Sequence, residues 1–316
     1  MRGEFSLIER FLAEFPRARV PLGPGDDCAV LAPAKGPLCV TTDAVVEDVH
    51  FTRAHFSPED IGHKALAVNL SDLAAMGARP SWFLCAVALP KGFPEPHLRR
   101  IARGMSALAR EHRIALVGGN FTSARELSLT ITAAGALRRP ALTRSGGRPG
   151  DLLYMSGTLG EARLGLLQLQ AGKRRSAAIE RQRRPVPRVA LGLLASRFAS
   201  AAMDISDGLA QDLGHLCEAS GVGAEVELAH LPLTPAVRAA LGPAGALAGG
   251  EDYELLMAVP PGRALAFERA CARASQRVTR IGKLLRGRHR VWRDPNGRLI
   301  APPAGFDHFR PIRPVD

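Results

Sequence analysis

The sequence predicts an α/β or α+β protein of two domains, and three observations carry that prediction. Short apolar runs of β-forming character alternate with amphipathic stretches of helical period along the whole chain. At 316 residues the chain is long for one core, so two domains of about 150 residues each are expected. After Arg138-Arg139-Pro140, the turn-rich stretch Arg144-Ser145-Gly146-Gly147-Arg148-Pro149-Gly150 marks a boundary, giving an N-terminal domain over 1–140 and a C-terminal domain over 141–316.

In the N-terminal domain strands are expected over 38–42, 82–89, 114–117 and 127–136, with helices over 58–76 and 95–111. The second half restarts with a strand over 152–156. Helices over 160–171, 189–199 and 209–220 follow, with strands near 224–228 and 255–259. Residues 170–188 are basic, punctuated by proline and poor in apolar residues except at 177–179, which predicts a mobile segment. The chain closes in proline-rich, irregular sequence.

A hydrophobic content of 46% with 23% charged residues is that of an ordinary globular protein. The net charge of +12 suits anionic partners such as nucleotides, although much of the excess is arginine in short runs that read as solvated surface. Two Tyr and two Trp offer little for stacking on bases, so no nucleic acid is expected as a partner. Five cysteines without CxxC or Cys-His spacing point to buried thiols in a reducing compartment and away from zinc. The N-terminus lacks the apolar region of a signal peptide, and no uncharged run approaches the roughly 18 residues of a membrane span. A cytoplasmic protein with no membrane partner is expected.

Six polar clusters stand at the edges of apolar runs: Gly25-Asp26-Asp27, Thr41-Thr42-Asp43, Asn69-Leu70-Ser71-Asp72, Gly118-Gly119-Asn120, Asp204-Ile205-Ser206-Asp207 and Gly250-Glu251-Asp252. Magnesium takes oxygen ligands and few carboxylates beside substrate phosphates, which suits such sparse clusters. Each has a plainer reading. Asp26-Asp27 and Thr42-Asp43 also fit turns, Ser206 or Asp207 also fits a helix N-cap, and His50 also fits a packed, hydrogen-bonded histidine. Asn69 and Asp72, three apart, share one helical face amid Ala, Leu and Val; an unanswered carboxylate there is costly, so a cation or strong donors are expected at Asp72. Amides at the start of the helix after Asp207, with Ser206, would hold phosphate while Asp204 and Asp207 hold magnesium. No GxxxxGK[ST] loop, GxGxxG fingerprint, GxSxG elbow or kinase catalytic-loop signature is present.

Taken together, GDDCAV, TTDAVVEDVHF, HKALAVNLSDLAAMGARP, RSGGRPGD, MDISDGL, GGEDYELL and the closing GFDHF resemble the thiamine-monophosphate kinase family, in the family's order and over nearly the whole chain. The resemblance implies the two-domain aminoimidazole ribonucleotide synthetase-like fold, with an N-terminal domain that binds ATP and magnesium and forms a homodimer through its sheet. A C-terminal α/β domain would complete the active site. The reaction implied is in-line transfer of the ATP γ-phosphate to thiamine monophosphate, giving thiamine diphosphate and ADP.

By the same resemblance Asp27, Thr41, Thr42, Asp43, Asp72, Asp204 and Asp207 hold several Mg2+ ions, with Asp43, Asp72 and Asp207 central to catalysis. Gly118, Gly119, Arg144 and Ser206 contact ATP; His50, Glu251 and a C-terminal aromatic, Phe306, contact thiamine monophosphate. One departure stands out: the family's GGDTT appears as Gly118-Gly119-Asn120-Phe121-Thr122, so Asn120 replaces a metal-binding Asp and Phe121 a small hydroxyl residue. Asn keeps an oxygen ligand and loses a charge, which predicts weaker magnesium binding there; a catalytically weakened or inactive nucleotide-binding homologue, or a same-fold enzyme with another phosphate acceptor, is the alternative.

Overall fold

The structure, a computed structural model, describes residues 4–24, 28–34, 36–294 and 296–301. In chain order the elements are α1 (Glu4–Leu12), β1 (Leu38–Val46), α2 (Pro58–Ala75), β2 (Arg79–Pro90), α3 (Glu95–His112), β3 (Ala115–Ala124), β4 (Ser128–Ala136) and β5 (Leu152–Ser156). Then come α4 (Glu161–Gln170), α5 (Ala177–Arg183), α6 (Val189–Ala195), β6 (Ala201–Ile205), α7 (Leu209–Ser220), β7 (Gly223–Glu227), α8 (Pro235–Ala240) and α9 (Gly242–Leu247). β8 (Glu254–Val259), α10 (Pro261–Arg273), β9 (Val278–Leu285), β10 (Arg290–Arg293) and β11 (Leu299–Ile300) follow, and short 3-10 turns lie at Arg144–Gly146 and Leu228–His230. Two units result: Met1–Leu142 with Arg183–Arg197, and Thr143–Gln182 with Phe198–Asp316.

The first unit is a four-stranded sheet, β1-β4-β2-β3, in which only β2 and β3 run parallel. α2 starts where local chemistry dictates, with Ser57 and Asp60 forming a reciprocal capping box ahead of Pro58. It is buried around most of its circumference, and α3 lies so close that a Cβ on Gly62 would sit 1.9 Å from the Ile101 carbonyl oxygen. The helix-side face of the sheet carries buried Phe83, Cys85, Val87, Leu129 and Ile131. The opposite face is open: Val40 is 60% exposed, and Leu84, Ala86 and Thr130 are exposed beside it.

The second unit has a seven-stranded sheet, β11-β10-β7-β9-β5-β8-β6, antiparallel except where β10 pairs with β7. Its core joins Leu153 and Met155 of β5 and Ile205 of β6 to Leu213 and Leu216 of α7 and to Trp292. α7 begins beyond Gly208, whose φ of 107° is open to glycine and strained for other residues.

Three expectations are corrected. β1 continues to Val46 and β3 to Ala124, so Thr41-Thr42-Asp43 and Gly118-Gly119-Asn120 lie within strands rather than at their ends. The segment expected to be mobile contains α5, started by Ser176 accepting from the Ile179 N–H at 3.0 Å, with Ala178, Ile179 and Gln182 buried. Residues 183–197 pack with the first unit instead of following the single boundary at 140: the Arg184 guanidinium meets Asp60 at 2.6 Å and His63 Nε2 lies 2.9 Å from the Pro185 carbonyl. Strand β6, over Ala201–Ile205, was not anticipated. Among the described residues no helix is long and apolar enough to cross a membrane.

Candidate functional site

In the first unit the acidic residues are placed by one strand and one helix. β1 is extended, so Thr41 and Asp43 face one side of the sheet and Thr42 the other. α2 covers the Thr41 side, and the Thr41 hydroxyl donates to Asp72 Oδ2 at 2.5 Å. The strong donor expected at half-buried Asp72 is therefore a threonine 31 residues earlier in the chain. Three residues earlier Asn69 is fully buried; its amide N–H donates to the Ala65 carbonyl at 3.1 Å, while its side-chain oxygen has no partner among the described residues.

His50 lies in the turn after β1. Its Nδ1 accepts from the Val46 N–H at 3.1 Å, so in the neutral ring Nε2 carries the proton. The turn is tied to α2 by Lys64, 1% exposed, whose ammonium donates to the His50 carbonyl at 3.0 Å and lies 5.2 Å from the centre of the Phe56 ring.

β3 passes so close to β2 that a Cβ on Gly119 would sit 2.0 Å from the Cys85 carbonyl oxygen, which admits glycine alone. Asn120 pairs with Ala86 and Phe121 with Val87 in the register, so Asn120 faces the open side and Phe121 the helix side. Phe121 meets Phe11 of α1 edge-on, ring centres 5.5 Å apart. Its departure from a small hydroxyl residue is thus absorbed in the packing under α1.

In the second unit two loops are clasped together. The pairing of β6 with β8 sets Ile205 opposite Glu254, and beyond it the Glu251 N–H donates to the Ser206 carbonyl at 2.7 Å and the Tyr253 N–H to the Ile205 carbonyl at 2.8 Å. Glu251 and Tyr253 adopt φ of 67° and 49°, a left-handed conformation uncommon for such residues and held here by those bonds. Sequence reading did not anticipate Asp212 of α7, which is 1% exposed and accepts from the Asp207 N–H at 3.1 Å. Burial first, then the charges of Asp207 and Asp204, push its carboxyl up to about 8. The only signal was an acid set among Leu209, Leu213 and Leu216. Asp252 caps α4, taking the Gly160 N–H at 2.6 Å and the Ala162 N–H at 3.1 Å; burial raises its carboxyl to about 7.

The structure thus joins Thr41 to Asp72, places Asp43 on the same face, and sets Asp204 near the end of β6 with Ser206, Asp207 and Glu251 on the adjoining loops. Thr42, which bonds to the Ile131 carbonyl at 3.2 Å, and Asn120 lie on the other face of the first sheet. Arg144 is exposed, and its carbonyl accepts from Ser220 at 2.6 Å, at the far end of α7 from Asp207 and about 18 Å along the helix. Asp27 and Phe306 lie outside the described residues. The donors are all hard oxygens, and among the described residues no three His, Cys, Asp or Glu side chains close a metal cage. That donor set fits magnesium, which completes its shell with phosphate and water, and not a dedicated zinc site.

Two family models match the chain: the N-terminal domain of AIR synthase related protein over residues 25–137 and its C-terminal domain over 148–293. The thiamine-monophosphate kinase of Haemophilus influenzae is 38% identical over 98% of this chain and 98% of its own length. The crystal structure of thiamine-monophosphate kinase from Stenotrophomonas maltophilia superposes with a TM-score of 0.83 at 40% identity, covering 92% of this chain and 96% of that one. AaThiL in complex with AMPPCP and TMP superposes with a TM-score of 0.79 at 32% identity, covering 98% and 99%.

Proposed function

The chain belongs to the thiamine-monophosphate kinases of the AIR synthase related family, and we infer from this that it transfers the γ-phosphate of ATP to thiamine monophosphate, giving thiamine diphosphate and ADP. The observation that carries this reading is near full-length similarity to thiamine-monophosphate kinases, one of them solved with an ATP analogue and TMP. A phosphate oxygen of the acceptor attacks the γ-phosphorus while the bond to the β–γ bridging oxygen breaks and ADP leaves. The acceptor is anionic near neutral pH, so no strong general base is required of the protein. Its residues position the two phosphates in line and offset their charge.

Bound magnesium would neutralise the phosphate oxygens as charge develops on them. In the first unit Asp43, Asp72 and Thr41 are the residues we assign to it, with Asp27; in the second, Asp204 and Asp207. The Thr41 hydroxyl orients Asp72, and Asp212 fixes the turn carrying Asp207 through its backbone bond. Gly118, Gly119, Ser206 and Arg144 are assigned to ATP, and His50, Glu251 and Phe306 to thiamine monophosphate.

A homodimer belongs to the same reading. The open face of the first sheet, with Val40, Leu84 and Ala86 exposed, is apolar and presents Thr42 and Asn120, so a second copy seated there would cover it and recruit both residues. We place the protein in a reducing cytoplasm, in keeping with the buried free thiols of Cys85, Cys217 and Cys271. The test is direct: with magnesium and ATP, the chain should convert thiamine monophosphate to thiamine diphosphate with one ADP per turnover, and should leave unphosphorylated thiamine untouched. Equal use of thiamine would refute a phosphate acceptor.

A further inference from the structure

α5 was expected to be part of a mobile basic stretch, yet two of its neighbouring residues are fastened to the loop that carries Glu251. Arg181 donates to Glu254 Oε1 at 2.7 Å; Glu254 is 1% exposed, and its other oxygen takes the Ser156 hydroxyl. Gln182, 3% exposed, donates its side-chain N–H to Glu251 Oε2 at 2.6 Å. An ionised carboxylate accepts and cannot donate, so the Gln182 amide is oriented with its nitrogen toward Glu251.

The backbone of Glu251 is already fixed. Its φ is 67°, its N–H is bonded to the Ser206 carbonyl at 2.7 Å, and a Cβ on the preceding Gly250 would sit 2.7 Å from that same carbonyl oxygen. What remains to be set is the carboxylate's rotation, and a buried amide that would be costly to leave unpaired sets it.

We propose that Gln182 is a positioning residue that aims the Glu251 carboxylate at the donor-bearing, cationic heterocycle of the acceptor, which makes α5 a structural part of the acceptor subsite. The proposal rests on the assignment of Glu251 to thiamine monophosphate.

The experiment is steady-state kinetics of the full chain for wild type, Gln182→Met, Glu251→Gln and the double variant, with the KM of each substrate and the melting temperature measured. Gln182→Met is expected to raise the KM for thiamine monophosphate about tenfold while the KM for ATP stays within about twofold. In the Glu251→Gln background the same change should add little, because the two residues act as one unit. A KM for thiamine monophosphate unmoved by Gln182→Met but raised by Glu251→Gln overturns the positioning role alone. No response to Glu251→Gln overturns the assignment of Glu251 itself. Equal rises in both KM values with a lowered melting temperature assign Gln182 to the fold and overturn the proposal. Should Gln182→Met fail to fold, Gln182→Glu keeps size and polarity and sets two acceptors face to face; the KM for thiamine monophosphate should again rise, and an unchanged value is contradictory.

Discussion

Asp72 in the first unit meets the Thr41 hydroxyl at 2.5 Å from a regular helix, whereas Asp212 in the second is buried near the charges of Asp204 and Asp207, and its carboxyl climbs to about 8. One region answers its carboxylate from within the chain and fixes it on long elements. The other collects negative charge where β6 runs through a turn into α7, beside a loop held by backbone bonds and two residues of positive φ. Charge concentrated in that way would be relieved by a cation, so the stability of the second region is expected to respond more to added magnesium than that of the first.

The largest effects should come from removing one carboxylate in each region. Asp72→Ala and Asp207→Ala should each lower turnover on the order of 10²- to 10³-fold. Their metal-free melting temperatures should part: Asp72→Ala falls because the Thr41 hydroxyl loses its acceptor, while Asp207→Ala holds or rises because Asp212 loses a repelling neighbour. Melting curves with and without magnesium decide this, and identical shifts for both variants would erase the contrast between the regions.

Rigidity of the first region is tested by Gly119→Ala. The added methyl would sit 2.0 Å from the Cys85 carbonyl, so β3 must separate from β2, at a cost of about 1–3 kcal/mol seen as a lower denaturation midpoint. An unchanged midpoint would show that the edge strand yields freely.

For the second region the probe is pH. Burial raises the Asp252 carboxyl from its ordinary 3.8 to about 7 in the folded chain, so between those values the native state keeps a proton that the unfolded chain has released. Its contribution is therefore present below the lower value and is lost as pH rises through the window. Relative to Asp252→Asn, which carries no charge, the wild type should lose melting temperature from about pH 5 to about pH 7 and then run parallel. A constant difference across that range would contradict the burial effect.

Smaller still is Phe121→Ser. Because the ring packs against Phe11, stability should fall by about 1–2 kcal/mol with turnover within about twofold of wild type. A large gain in rate would instead mean that Phe121 obstructs phosphate.

What was legible in the sequence follows the same division. α2 and its first turn were readable because Ser57, Pro58 and Asp60 are local signals, and α7 matched its expected span for similar reasons of period and flanking glycine. The faces of the first sheet were not readable, because β1 and β3 were ended at Thr42 and Val117. Their real lengths put Thr42 and Asn120 on the side away from Asp72. α5 was hidden by arginines around a short buried stripe of Ala178, Ile179 and Gln182. The clasp of Glu251 on Ser206 leaves no trace in spacing, since it arises from loops brought together by the pairing of β6 with β8, and Asp212 left only the faint signal of an acid among the leucines of α7.

The most direct test is the magnesium dependence of thiamine diphosphate formation, measured for the wild type beside Asn120→Asp. The wild type is expected to turn over and to saturate with magnesium, and Asn120→Asp to shift the curve to lower magnesium by about a few-fold. A wild type that binds ATP yet forms no thiamine diphosphate at any magnesium concentration, with Asn120→Asp equally silent, would contradict the assignment of this chain as an active kinase.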